Sequence, residues 1–250
     1  MVDVLYLVPG TALPEEERAR RERVANELTV ADVVVESVDA DGPSSIESCV
    51  EDAWAGVGAL EKLWAVRDDY DAVVIGCFGD PGLRPARELV DVPVLGPSEA
   101  TLHTAAQVAD RFSWLTILPA TVPKSRARAH ELGLSERLAS VRSVDAPVEE
   151  ISHDSRELVD RMVETGRLAV EEDGAEALIP GCMSLAFMQV HDEVADRLGV
   201  PLLDPATVVL EQAATWGRHG IAQSAATYPE PNYGKLDGLL GAPTAEPADD

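Results

Sequence analysis

Short runs of consecutive apolar residues, mostly Val, Leu, Ile and Ala, alternate along the chain with longer segments in which apolar positions recur at helical spacing. The runs predict strands at Val2–Val8, Asp32–Val38, Ala72–Ile75, Val92–Leu95, Ser113–Leu118, Ser140–Val144, Ala177–Ile179 and Val200–Leu203. The segments between them predict helices at Glu15–Leu28, Ile46–Val66, Gly82–Val90, Ser98–Asp110, Ser125–Glu131, Ser155–Asp173, Met188–Leu198 and Thr207–Gly217. Repeated alternation of strand and helix is the pattern of an α/β layer fold, because a parallel sheet needs a crossover between successive strands. Beyond residue 228 the periodicity stops at Pro229, Pro231, Pro243 and Pro247, predicting an irregular acidic, proline-rich tail over 228–250.

The pattern repeats itself. Residues 92–106 read VPVLGPSEATLHTAA and residues 200–214 read VPLLDPATVVLEQAA, an offset of 108. DAVVIGC, ending at Cys77, is answered by EALIPGC, ending at Cys182, and YLVPGT (6–11) by TILPAT (116–121) at an offset of 110. Two copies of one unit predict two pseudo-symmetric, doubly wound parallel-sheet lobes of four strands each. We place the first over 1–112 and the second over 113–203, with the helix over 204–220 packing back on the first. In such sheets ligands bind beyond the carboxyl ends of the strands, so a site is expected in the cleft between lobes.

Composition narrows the function. Twenty basic against 45 acidic residues give a net charge of −25, which repels nucleic acid, and 4% aromatic content leaves few platforms for stacking bases. Only Lys62, Lys124 and Lys235 are lysines, and the acidic residues are spread throughout, a distribution suited to a salt-rich cytoplasm. No uninterrupted apolar stretch is long enough to cross a membrane, and the N-terminus lacks a basic region with a signal core. A small-molecule substrate in a cytoplasmic protein is therefore expected. The apolar helix around Trp54–Trp64 is either a face for self-association or part of the core, which periodicity does not distinguish.

Cys77 and Cys182 each follow an apolar strand and a glycine and precede a helix. Backbone N–H groups at such a turn are expected to lower a thiol's pKa into the working range. A thiolate facing a thiol across a carbon acid can remove a proton from one side while its partner delivers one to the other, inverting the stereocentre. Small buried hydrophobes are the alternative role for such cysteines. A disulfide between them is disfavoured in a reducing compartment, and neither His103 nor His191 completes a metal-ligand spacing. Cys49 has no repeat partner and reads as filler. Glu99 and His103 lie four apart on one helix face, where a supporting hydrogen bond is expected, and His191 reads as structural or exposed.

Around the cysteines, Gly79 allows backbone N–H groups to approach a developing oxyanion, with Phe78 beside it. Asp80 either orients a substrate amide or belongs to an Asp-Pro-Gly turn. Thr11, Thr121 and Ser184 are hydroxyl donors at strand-end loops or else helix caps.

The segment GCFGDPGLRPARELVDVPVLGPSEATLHTAA (76–106), together with GPSSIES (42–48), GCMSL (181–185) and VPLLDPATV (200–208), resembles the aspartate/glutamate/hydantoin racemase superfamily, and its hydantoin racemase-like branch most. The resemblance runs from about residue 3 to about residue 228. It implies a racemase or epimerase that needs no cofactor and no metal, acting on a hydantoin, allantoin or an amino-acid derivative, with Cys77 and Cys182 as the acid and base. Where members of that branch carry Asn-Pro-Asn-Thr after the first strand, this chain has Val8, Pro9, Gly10 and Thr11. The usual second-lobe Thr-Thr pair is Thr116–Ile117, and the run after the second cysteine is Met183–Ser184. A decarboxylase or cis-trans isomerase of the same fold, and a two-lobed binding protein, are the competing expectations.

Overall fold

The computed structural model describes residues 1–38 and 42–236. The first lobe carries β1 (Asp3–Val8), α1 (Glu15–Leu28), β2 (Asp32–Ser37), α2 (Cys49–Ala65), β3 (Ala72–Ile75), α3 (Leu83–Leu89), β4 (Val94–Leu95) and α4 (Pro97–Val108). The second carries β5 (Phe112–Thr116), α5 (Val122–Glu131), β6 (Leu138–Ser143), α6 (Arg156–Glu171), β7 (Ala177–Pro180), α7 (Met183–Ala186) and α8 (His191–Leu198). The last long helix, α9 (Pro205–His219), packs against α1, α4, β1 and β3 of the first lobe.

All strand pairs are parallel, with orders β2-β1-β3-β4 and β6-β5-β7. The second sheet thus has three strands where four were expected. The run Val200–Leu203 reaches it only through a single bridge between Leu178 and Leu202. Pro201 has no N–H to donate and a ladder cannot grow through it; Pro93 stands just before the two-residue β4 in the first lobe in the same way.

Strand β3 is buried at every position, as the inner strand of a sheet covered on both faces must be. The core is continuous between the lobes: Tyr6, Phe78, Trp114, Ile179 and Phe187 belong to one buried cluster. Tyr6 of β1 meets Phe187 edge-to-face at 5.5 Å between centroids, and Phe78 meets Trp114 likewise at 4.8 Å. Each such pair contributes about 1 kcal/mol beyond its buried area.

Equivalent hydrogen bonds fix the pseudo-symmetry. Gly76 donates to the Leu7 carbonyl at 2.6 Å and Gly181 to the Leu115 carbonyl at 2.8 Å. Leu7 therefore corresponds to Leu115, and Tyr6 to Trp114. The first-strand repeat runs at the same offset of 108 as the VPVL and VPLL segments, so the echo read at 110 is displaced by two residues.

Several helix boundaries differ from the sequence pattern. Helix α2 starts at Cys49 because Ser48 caps it, accepting from the Glu51 amide at 3.2 Å. The helix expected over Met188–Leu198 begins only at His191, as α8; a turn with Gln189 in the left-handed region at φ 55° separates it from α7, a short helix the pattern did not predict. Of the tail, residues 228–236 are described, with Tyr233 packed on Trp64 at 4.9 Å; the expectation for 237–250 lies outside the described residues.

Candidate active site

A cavity of about 790 Å³ opens between the lobes, and both Cys77 and Cys182 line it. Cys77 follows β3 and Cys182 follows β7, at matching ends of the two sheets. The glycine before each sulfur lies directly on an aromatic ring. A Cβ on Gly76 would stand 2.4 Å from the Tyr6 ring, and one on Gly181 would stand 1.6 Å from Trp114 Nε1. This is why both strands end in Gly-Cys: only a bare Cα lets the chain cross the neighbouring aromatic and deliver the thiol.

Burial dominates both thiols and reverses the expectation of lowered pKa values. It pushes Cys77 up to about 12, while the Gly79 amide, donating to its sulfur at 3.4 Å, and Lys124 pull the other way. Cys182 is also pushed up by burial, against the amides of Ser184 and Leu185 and the charge of Arg21. Ionising Cys182 makes Cys77 harder to ionise, so once one thiolate has formed the second thiol is held protonated.

The substrate-binding candidates read from the sequence all line this cavity, whereas Glu99, His103 and His191 do not; the polar groups of the candidates are committed in different ways. Thr121 Oγ1 donates to the Leu118 carbonyl at 2.8 Å, so Thr116 Oγ1, 2.6 Å away, must donate to Thr121. Neither hydroxyl retains a proton for substrate, and both offer lone pairs to an N–H. Thr11 likewise spends its proton on the Gly42 carbonyl. Pro9 and Gly10 supply backbone there, with Gly10 close against the Pro43 carbonyl. Ser184 Oγ accepts from Arg21 at 3.1 Å and keeps its own proton, directed to Cys182. Phe78 and Met183 are buried apolar walls.

Asp80 resolves as a structural residue. Its buried carboxylate accepts from Ser98 N at 3.0 Å, Ser98 Oγ at 2.6 Å, Glu99 N at 3.0 Å and Arg128 Nη2 at 2.7 Å. A side chain on Gly96 would fall 2.4 Å from the Asp80 carboxyl carbon. In the second lobe the residue equivalent to Gly96 is Asp204, which caps α9 with its own carboxylate by accepting from Ala206 N and Thr207 N. Asp80 thus fills from a distant loop the cap that Asp204 fills locally. Asp80→Ala is expected to destabilise the fold by about 3 kcal/mol, since it leaves the Ser98 and Glu99 amides uncapped and removes the buried partner of Arg128. Asp80→Gly with Gly96→Asp should recover part of that loss in thermal unfolding. No recovery would refute the exchange.

Glu99 is not paired with His103, which is exposed; it binds Arg87 at 3.0 Å and approaches Arg128 at 3.7 Å. His191 is partly buried, with Nδ1 lacking a hydrogen-bond partner among the described residues. Cys49, read as filler, is exposed and stands at the cavity rim. Among the charged residues of the cavity that the sequence pattern missed are two ion pairs: Arg21 with Glu17, at 2.7 Å, and Lys124 with Asp52. Burial opposes ionisation of Glu17, but hydrogen bonds from Arg20 and Arg21 outweigh it and lower the carboxyl to about 2. Glu17 and Arg21 are one turn apart on a helix, a legible spacing; Asp52 and Lys124 are 72 residues apart and carry no local signal.

Residues 17–213 match the family model for Asp/Glu/hydantoin racemases. The hydantoin racemase of Paenarthrobacter aurescens is 33% identical over 202 residues, covering 77% of this chain and 83% of that protein. The allantoin racemase of Klebsiella pneumoniae superposes with a TM-score of 0.80 at 28% identity, covering 100% of this chain and 97% of the other. Arylmalonate decarboxylase shares the fold at 16% identity and a TM-score of 0.56, covering 88% of this chain and 95% of its own. The chain belongs to the Asp/Glu/hydantoin racemase family, and with that membership it is an isomerase of the racemase type. Among the described residues no helix is long and apolar enough to cross a membrane.

Proposed function

We propose that the protein racemises a neutral cyclic ureide, of the hydantoin or allantoin type, by two-base proton transfer between Cys77 and Cys182. The observation that carries this reading is the delivery of both thiols into one interlobe cavity from equivalent strand ends. One sulfur, as thiolate, takes the proton from the stereogenic carbon. The electron pair moves into the adjacent carbonyl, giving an enolate whose charge the strand-end loops would have to meet with hydrogen-bond donors. The opposite thiol then donates its proton to the other face, and the sulfurs exchange roles for the reverse direction.

The charges around the cavity support a substrate without a carboxylate. Arg20, Arg21, Lys124 and Arg128 all line it, and each is already paired with an acidic side chain. Thr116 and Thr121, reduced to acceptors, suit the N–H groups of a ureide. The names of the hydantoin and allantoin racemases to which the chain is similar point the same way.

Single enantiomers of a 5-substituted hydantoin and of allantoin, followed by circular dichroism, test this. At least one should lose its signal without added cofactor or metal. Because Cys77 is pushed up to about 12, the thiolate form is scarce at neutrality, and kcat/KM should climb by roughly tenfold per pH unit from pH 7 to 9. A rate falling over that interval, or stable rotation of both compounds with folded protein, would refute the proposal.

A further inference from the structure

We infer that Lys124 and Arg21 are crossed positioning cations, each standing on the first helix of one lobe and favouring the anionic form of the thiol carried by the other. The catalytic meaning of this inference rests on the two-thiol reading above; its geometry does not. Helix α1 follows β1 and helix α5 follows β5, and those strands are equivalent by their hydrogen bonds to Gly76 and Gly181. Arg21 leaves α1 and reaches across to the second lobe. It donates to Ser184 Oγ at 3.1 Å and lies over the Phe187 ring at 5.3 Å, beside the Ser184 groups that face Cys182. Lys124 leaves α5 and reaches the first lobe, where it pairs with Asp52 of α2.

That pair covers Gly79, whose amide is bonded to Cys77. A Cβ on Gly79 would lie 2.8 Å from Asp52 Oδ1 and 3.1 Å from Lys124 Nζ. Each cation is therefore placed against the group that directly contacts a sulfur, and each is restrained by one carboxylate, Glu17 or Asp52. The two are not repeat-equivalent: at an offset of 108 Arg21 corresponds to Ala129. The same electrostatic arrangement is built twice from different positions.

The groups facing Cys77 are Lys124 from α5, Asp52 from α2, Cys182 and the Tyr6 phenol from β1. Those facing Cys182 are Arg21 from α1, the amides of α7 and the same phenol, which burial keeps neutral. An opposite charge within a few ångströms favours a thiolate by about one to three pKa units, and a like charge does the reverse. Because each cation comes from the opposite lobe, both thiols are tuned only when the lobes are seated against each other.

The test measures thiol chemistry without substrate. In a Cys49→Ala background, which removes the exposed thiol, iodoacetamide alkylation of Cys77 and Cys182 is followed by peptide mass spectrometry across pH. Lys124→Met should slow Cys77 about tenfold at fixed pH and leave Cys182 unchanged, while Asp52→Asn should speed Cys77 severalfold. Arg21→Met should slow Cys182 about tenfold and spare Cys77. Lys124→Arg and Arg21→Lys should restore the rates.

Should Arg21→Met unfold, the Lys124 and Asp52 variants, at a pair whose side chains are 24% and 26% exposed, still decide the matter. Unmoved rates in folded variants, or slowing at the thiol of the cation's own lobe, would overturn the inference. Rates that move as stated in a protein that racemises neither ureide would sustain it and refute the two-thiol reading instead.

Discussion

Cys182→Ser and Cys77→Ser are each expected to reduce racemisation by about a thousandfold or more, because each direction needs one sulfur as base and the other as acid. The two variants should fail differently. With Cys182 replaced, Cys77 can still remove and return a proton on its own face, so one enantiomer should exchange its α-hydrogen with solvent without inverting. With Cys77 replaced, the other enantiomer should do so. NMR of the α-position in deuterated buffer reads both. Racemisation surviving in either variant at near-native rate would remove that cysteine from the chemistry. The serine hydroxyl is nearly the size of the thiol but far less acidic, so the loss reports proton transfer rather than a cavity.

The second large effect comes from a residue with no side chain. Gly181→Ala places a methyl carbon 1.6 Å from Trp114 Nε1 and 2.3 Å from its Cδ1. Trp114 cannot withdraw, because its indole is buried and braced edge-on against Phe78. Overpacking of this kind costs about 3 kcal/mol. For a chain of this length that lowers Tm by about 6–12 °C. Because Cys182 is the next residue, its sulfur is displaced and racemisation should fall with it. Trp114→Leu added to Gly181→Ala makes room and should recover much of the stability. If Gly181→Ala alone leaves Tm and activity unchanged, the close approach of β7 to the indole is wrong.

The strands were legible because their apolar runs are dense and short between charged helices, and the cysteines because the repeat sets Cys77 against Cys182. What escaped the sequence was long-range. The Asp80 carboxylate caps α4 from a turn 18 residues away, and nothing in GDPG distinguishes that role from an ordinary turn. The Lys124 pair and the reach of Arg21 to Ser184 join lobes whose contact is not encoded locally. The missing fourth strand of the second lobe was visible in principle, since Pro201 withholds an N–H, yet the apolar run around it outweighed that signal. The expected thiol acidity failed for a further reason: strand-end amides do contact the sulfurs, but burial outweighs them.

The most direct test of opposed thiols is the distribution of isotope at early conversion. Starting from one enantiomer in deuterated buffer, the product enantiomer should carry deuterium at the inverted carbon while the remaining starting enantiomer stays protonated. Deuterium appearing equally in both from the first time points would mean that a single base serves both faces, and the opposed-thiol mechanism would be wrong.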